Sequence, residues 1–411
     1  MNKKLMAVAV AGALAAPGLA LAQASVTISG FVKVAVGQIS NSGAATAAGV
    51  ASRAGLNSSE YRLNDDGPTR IEFDMRDQID SDLAGIAKLS LRPTIDGNSA
   101  VNAGAAGAGF GSSSGTAYIG LESKNMGTLR IGSIDQHYIL GVDTGAVYGP
   151  TQAASGLMSY SYIAQPVAGV SRQSAVQTSH TGASRTRNLV RWDSINYNGM
   201  RVGVGYSFNT ASGQESDLAS GARKGNSLNI NPSYTADTWR VIYSYLDDKR
   251  DATAAATVQN FKGQRLMGDI KFGDFTVGAA WDKMKIDIMT VATGVIAPAG
   301  NRAVWQLTGK YQTGKHVVTG MYSKAGNDSV LVGDTSATNY AVTYAYLFSA
   351  RTSVGVGYSV LKNGTLGAYT LSGESTGLGG GNLQNGYASN QSESFAGEKQ
   401  TFMGVSLRQS F

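Results

Sequence analysis

Three histidines, His137, His180 and His316, are the side chains of this 411-residue chain best suited to move a proton near neutral pH. A general base needs a nucleophile or a metal held against it, and none of the three sits in H-E-x-x-H or beside a G-x-S-x-G turn. Cysteine is absent, which removes thiol nucleophiles, zinc knuckles and any disulfide framework. Asn64-Asp65-Asp66 and Asp247-Asp248 are too sparse for a calcium loop, and no Gly-rich phosphate loop is present. No enzyme, metal site or cofactor is expected. What the chain does carry is charge set at alternate positions among apolar residues, as in Arg70, Glu72, Asp74 and Arg76 around Ile71, Phe73 and Met75. The chemistry open to such groups is electrostatic, since rings of charged side chains around an aqueous path select ions by local field.

The elements that would hold such a ring are strands. Val202, Val204, Tyr206 and Phe208 alternate with Arg201, Gly203, Gly205 and Ser207. The same period of two recurs at Trp239–Leu246, at Phe275–Trp281, at Tyr340–Phe348 and at Val354–Val360. One face is apolar and aromatic, and the other is glycine, serine, threonine or charge. Only 15% of residues are charged, against roughly 25% in soluble chains. Beyond the N-terminus no apolar window is long enough for a spanning helix. In lipid every backbone N–H and C=O needs an internal partner, so a sheet that spans must close on itself. The expectation is an all-β, 16-stranded antiparallel transmembrane β-barrel; a soluble all-β repeat protein is the alternative.

The connections agree. Tight links at Lys124-Asn125-Met126-Gly127, Asn198-Gly199, Ala236-Asp237, Gly273-Asp274, Thr313-Gly314-Lys315 and Phe348-Ser349-Ala350 alternate with long Gly/Ser/Ala/Asn stretches at 41–66, 94–114, 210–226, 287–301 and 363–398. Short periplasmic turns and longer external loops are the pattern of outer-membrane barrels. About sixteen segments fit between Ser25 and Phe411.

Residues 1–22 read as a signal peptide. Lys3 and Lys4 precede a run of small apolar residues, and Ala20-Leu21-Ala22 or Ala22-Gln23-Ala24 offers a cleavage site. A membrane anchor is the alternative, disfavoured by Pro17, Gly18 and the short apolar run. Residues 23–411 then form the barrel of an exported protein. The formal charge of +6 is modest and unclustered, so no nucleic-acid partner is expected.

With the aromatic face turned to lipid, parity places Arg70, Lys88, Arg92, Arg130, Arg187, Arg191 and Arg201 on the lumen side, with Lys33 as a further basic candidate. A charge facing lipid would cost roughly 2–4 kcal/mol at the midplane. A bulge in any strand would shift this parity beyond it.

At this point the residues resemble a family. Ser25-Val26-Thr27-Ile28-Ser29-Gly30 resembles the S-V-T-L-Y-G opening strand of the general porins of Gram-negative outer membranes. Gly115 to Gln136 resembles their A-Y-x-G-L…G-T-L-x-L-G-R-Q hairpin, and Arg187 to Tyr206 their R-x-N-S-V-x-Y…G strand pair. Phe402 to Phe411 is similar to their G-L-R-H-x-F ending, whose terminal aromatic, here Phe411, is read by the barrel-assembly machinery. The resemblance implies a homotrimer in outer-membrane lipid and lipopolysaccharide that passes ions and small hydrophilic solutes. It also implies a third external loop folded into the lumen, setting acids against a basic wall. Two departures stand out: Lys33 where the family commonly has an acid, and Ser133 where the G-R-Q arginine would be.

The stretch from about His137 to Ser184 is the third loop of that scheme, and it is rich in Tyr, Ile, Leu and Val for a solvated connection. Packing inside the barrel would cover these side chains; a lid over the mouth or a trimer contact is the alternative. Its candidate constriction residues are Asp135, His137, Asp143, Arg172 and Arg185. The functional expectation is a passive diffusion channel with weak to moderate anion preference. A substrate-specific porin or a surface-binding, adhesive barrel is the alternative.

Overall fold

The chain folds into a closed antiparallel barrel because its strands can satisfy their backbone only by pairing with one another. A computed structural model describes residues 24–43, 58–64, 69–91, 93, 115–139, 166–167, 170–171, 185–208, 225–249, 257–290, 295–329, 333–367, 369, 371 and 397–411. Residues 1–22 of the expected signal lie outside them. The first strand, β1 (Ser25–Ser42), pairs along its upper half with β2 (Ser58–Asn64) and along its lower half with β3 (Arg70–Gln78). These two segments are halves of one wall strand. At the break the Thr69 hydroxyl accepts Lys33 N–H at 3.2 Å and donates to the Lys33 carbonyl at 3.4 Å, standing in for the missing ladder bonds.

The wall continues through β4 (Leu83–Leu91), β5 (Ala117–Ser123) and β6 (Gly127–Asp135). A small separate hairpin, β7 (Pro166–Val167) with β8 (Val170–Ser171), falls in the connection to β9 (Arg185–Asp193). Then follow β10 (Met200–Ser207), β11 (Asn226–Thr235), β12 (Trp239–Lys249), β13 (Thr257–Phe272), β14 (Phe275–Thr290) and β15 (Val295–Thr313). The last four are β16 (His316–Ala325), β17 (Ala337–Leu347), β18 (Thr352–Asn363) and β19 (Lys399–Ser410). Each pairs antiparallel with the next, and β19 returns to β1 from Phe31↔Ser410 to Ser42↔Lys399. Gly30 and Phe411 exchange both backbone bonds at the seam, at 3.2 and 3.1 Å. With β2 and β3 counted as one, the closed wall has the sixteen strands that the alternation implies.

The tight links lie at one end, as expected. Asn198 and Gly199 both take positive φ, 48° and 89°, between the mutually bonded Tyr197 and Met200, which is the primed turn that matches strand twist. A further turn joins β3 to β4, where the Asp80 carboxylate accepts the N–H groups of Asp82 and Leu83 at 2.7 and 2.8 Å. Those two bonds hold the Asp80 carboxyl below its usual range.

Two of the expected loops are shorter than the sequence implies. Strand structure begins at Ser58 within 41–66, and β14 and β15 leave only residues 291–294 of 287–301 between them. These strands run on past the lipid. On the outward face Trp281 is followed by Lys283, and Tyr322 by Lys324, which marks where the aromatic belt ends and water begins. The register with β14 shifts between Ile286 and Ile288, where β15 carries one extra residue at Pro298-Ala299, and the missing proline N–H would interrupt the ladder there in any case.

Below that boundary the outward positions are mostly aliphatic and aromatic: Val36, Val405 and Val356 lie side by side on β1, β19 and β18. Rings gather near the turns, as in Phe272, Phe275 and Tyr311 with centroids 5.7 and 4.6 Å apart. Val405→Arg, at a position 49% exposed in the middle of that band, is expected to destabilise the barrel by about 2–4 kcal/mol in equilibrium unfolding from lipid vesicles. No loss would place Val405 on the other face.

Candidate pore-lining site

Cross-strand register brings most of the expected charges to one inner wall. Phe31 pairs with Arg70, Asp74 with Lys88, Lys88 with Tyr118 and Arg130 with Arg191, all on the face opposite the lipid-facing valines and isoleucines. Lys33 shares that face, is buried, and pairs in register with Arg408. Phe31 lies between two guanidinium groups, Arg70 at 4.8 Å and Arg408 at 4.5 Å from its ring centre. Arg201 lies on the inner parity of β10 opposite Ser233 and is exposed.

These cations are held by acids of the wall itself. Lys88 Nζ stands 3.1 Å from Glu72 and 3.3 Å from Asp74, and Arg70 stands 3.8 Å from Glu72. Arg76 meets Glu122 at 2.8 Å. Arg130 and Arg191 converge on Asp193, at 2.6 and 3.0 Å from Oδ2, and Arg191 also bonds Oδ1 at 3.1 Å. Asp193 is the hub of the site and is not among the residues expected from the sequence. Its signal was parity alone, since it follows Arg191 by two residues on the same face.

The start of the third loop lies inside the barrel. From the end of β6 the chain makes a 3-10 turn, His137–Ile139, against the inner surface of β9 to β14. His137 places Nε2 2.5 Å from Asp193 Oδ1 and Nδ1 3.2 Å from Asn229 Oδ1. Gln136 donates to Ser227 at 2.7 Å, and Arg191 donates to the Asp135 carbonyl at 2.8 Å. Tyr138 crosses further and bonds Asp282 through its hydroxyl, while Arg265 donates to the Tyr138 carbonyl at 2.8 Å and stacks 4.5 Å from the ring centre. Two glycines make this possible. A Cβ at Gly203 would collide with the His137 imidazole, and one at Gly263 with the Tyr138 phenol. The bare backbone at these points is a seat for the loop.

Other expected residues stand apart from this cluster. Asp135 enters through its carbonyl oxygen, and its backbone pairs with Arg185. The side chains of Arg185 and Arg187, and all of Arg92, Asp143, Arg172 and His180, lie outside the described residues. In β9 a bulge at Asn188, with φ of 52°, inserts one residue, so that Leu189 faces Gly132 but Thr186 faces Ile134. The parity that carried Arg187 inward from Arg191 is broken there. His316 lies at the turn end, 2.9 Å from the Tyr344 hydroxyl and far in sequence from the wall cluster.

Arg265 and Asp282 are 0% and 1% exposed and 3.0 Å apart. Arg265→Leu leaves the Asp282 carboxylate buried without its cation and is expected to cost about 3–5 kcal/mol. The measurement is the denaturant midpoint of the folded barrel, and an unchanged midpoint would mean that water reaches Asp282.

The comparisons with known proteins follow the same outline. Residues 7–366 match the family described as Gram-negative porin. Among solved structures, an anion-selective porin from Comamonas acidovorans is 17% identical, with a TM-score of 0.68 over 95% of this chain and 100% of that one. OmpT of Vibrio cholerae in its trimer form is 12% identical, with a TM-score of 0.59 over 94% and 99%. OmpF of Salmonella typhi in complex with daunomycin is 14% identical, with a TM-score of 0.55 over 93% and 97%. No curated protein matches the chain. A closed sixteen-stranded wall, a polar charged lumen and this family match together make the chain a Gram-negative porin, a non-enzymatic channel of the outer membrane.

Proposed function

We propose that this porin is a passive diffusion channel for ions and small hydrophilic solutes with a weak to moderate preference for anions. The observation that supports it is the inner wall of β1, β3 to β6, β9, β10 and β19. There Lys33, Arg70, Arg76, Lys88, Arg130, Arg191, Arg201 and Arg408 outnumber Glu72, Asp74, Glu122 and Asp193. Cations that reach water raise the local anion concentration along the wall. The preference stays moderate because the acids lie within ion-pair distance of several of those cations and cancel part of the field at any distance beyond the pair. The Comamonas acidovorans structure belongs to an anion-selective porin, and the likeness of this chain to it is one of fold.

The remaining pore-lining candidate Arg92 and the loop candidates Asp143 and Arg172, with Arg185 at the start of β9, extend the same reading. Residues 1–22 would be removed on export. A homotrimer in outer-membrane lipid and lipopolysaccharide fits the trimer form of the Vibrio cholerae relative. Phe411, bonded to Gly30 at the closing seam and about half exposed, would be the aromatic that the assembly machinery reads.

The reversal potential in a planar bilayer under a salt gradient tests this reading, and an anion sign is expected. Arg130→Gln removes a cation and releases Asp193, so the potential is expected to move toward cations. Asp193→Asn removes the opposing acid and is expected to move it toward anions. Shifts of equal sign, or none, would show that the Arg130–Asp193–Arg191 cluster lies off the ion path.

A further inference from the structure

The inner face of β13 to β19 carries side chains that an aqueous lumen does not explain. Met267, Val304, Ala325, Ala337, Leu361 and Phe402 form a buried apolar cluster on the lumen side of these strands. The Phe402 ring packs against Gly37 and Gly404, where any Cβ would meet it. What covers the cluster comes from the connection between β18 and β19. Tyr369 and Leu371 are 1% and 5% exposed and belong to the same cluster.

Their placement is tied at several points. After β18 the chain bonds to the neighbouring connection, Gly364 N–H to the Ser336 carbonyl and Leu366 N–H to the Asp334 carbonyl, both at 2.8 Å. The Asn363 amide then clamps Tyr369, accepting its N–H at 2.8 Å and donating to its carbonyl at 3.0 Å. Leu371 N–H donates to the inward Gln400 side chain at 2.8 Å. Arg302, on the inner face of β15, donates to the Tyr369 hydroxyl at 2.8 Å, with its guanidinium 5.1 Å from the ring centre. Burial raises the Tyr369 phenol above its usual value, although Arg302 works the other way, so the hydroxyl stays neutral.

We propose that Tyr369 and Leu371 form a second inward element of the channel, which fills the lumen against β13 to β19, covers Arg302 and confines the water path to the opposite, basic wall. The inference rests on the diffusion-channel reading and deepens it. The two walls then divide the work. Arg70, Lys88 and Arg130 keep side chains 34%, 21% and 24% exposed, while the charge of Arg302, only 6% exposed, is withheld beneath Tyr369. Cross-section and selectivity are thereby set from both sides of the lumen, by the turn at His137 and by Tyr369 with Leu371.

The test is single-channel recording of the full chain in planar bilayers. Stepwise conductance of the wild type examines the channel reading by itself. Given that, the double variant Tyr369→Ala with Leu371→Ala is expected to raise the conductance and to shift the reversal potential further toward anions as Arg302 meets water. Adding Arg302→Gln is expected to keep the higher conductance and cancel the shift. Unchanged conductance from a barrel that keeps its heat-resistant gel mobility would overturn the proposal. Should the double variant not fold, the chain's lack of cysteine offers a second measurement: Leu371→Cys is expected to resist a bulky charged thiol reagent in the folded barrel and to react once unfolded. Rapid reaction in the folded barrel would overturn the proposal too.

Discussion

Hydrocarbon offers no hydrogen-bond partners, and that constraint governs the rest of this structure. Each strand must give its full row of N–H and C=O groups to neighbours, so the wall closes where β19 meets β1 and where Gly30 and Phe411 exchange both bonds. Departures from the ladder are repaired locally. The Thr69 hydroxyl serves Lys33 between β2 and β3, and the Asn231 amide donates to the Tyr243 carbonyl beside Pro232, which has no N–H to give. Once the wall is closed, alternate side chains have nowhere to go but lipid or lumen, and the polar set is committed to the lumen.

A lumen full of charge poses a second problem, since ions held among protein atoms lose hydration. The solution is pairing across strands. Lys88 lies between Glu72 and Asp74, Arg76 reaches Glu122, and Arg130 and Arg191 share Asp193. Asp193 also meets His137, so the carboxylate that balances the wall arginines holds the inward turn in place. The charge balance of that wall and the position of the turn are therefore coupled through one residue. The buried Arg265–Asp282 pair anchors the same turn further round, through Tyr138.

The two inner walls differ in kind. From β1 to β10 the lumen face is charged and partly wet. Along β16 to β18 it is built of small and neutral residues such as Thr319, Ala341, Thr343, Gly357 and Ser359, and with β13, β15 and β19 it supports an apolar cluster. Small side chains on that wall leave room for chain to lie against it, as the bare backbone at Gly203 and Gly263 does for His137 and Tyr138.

The amino-acid sequence by itself determined the barrel, its strand count, the six tight turns named from it and the facing of Arg70, Lys88, Arg130 and Arg191, because period-two alternation is a local property that lipid and water read at every position. Loop lengths were legible only roughly: β14 and β15 continue past the membrane, and nothing in alternation says where lipid stops. Parity was reliable until Asn188, where one inserted residue broke the count toward Arg187. Only the tertiary structure decided which charges meet. Asp193 with His137, Tyr138 with Asp282, and Arg302 with Tyr369 are separated by 56, 144 and 67 residues. Such pairs depend on which strands curvature brings across the lumen and on which glycines leave a seat, and neither is encoded in the spacing of one strand.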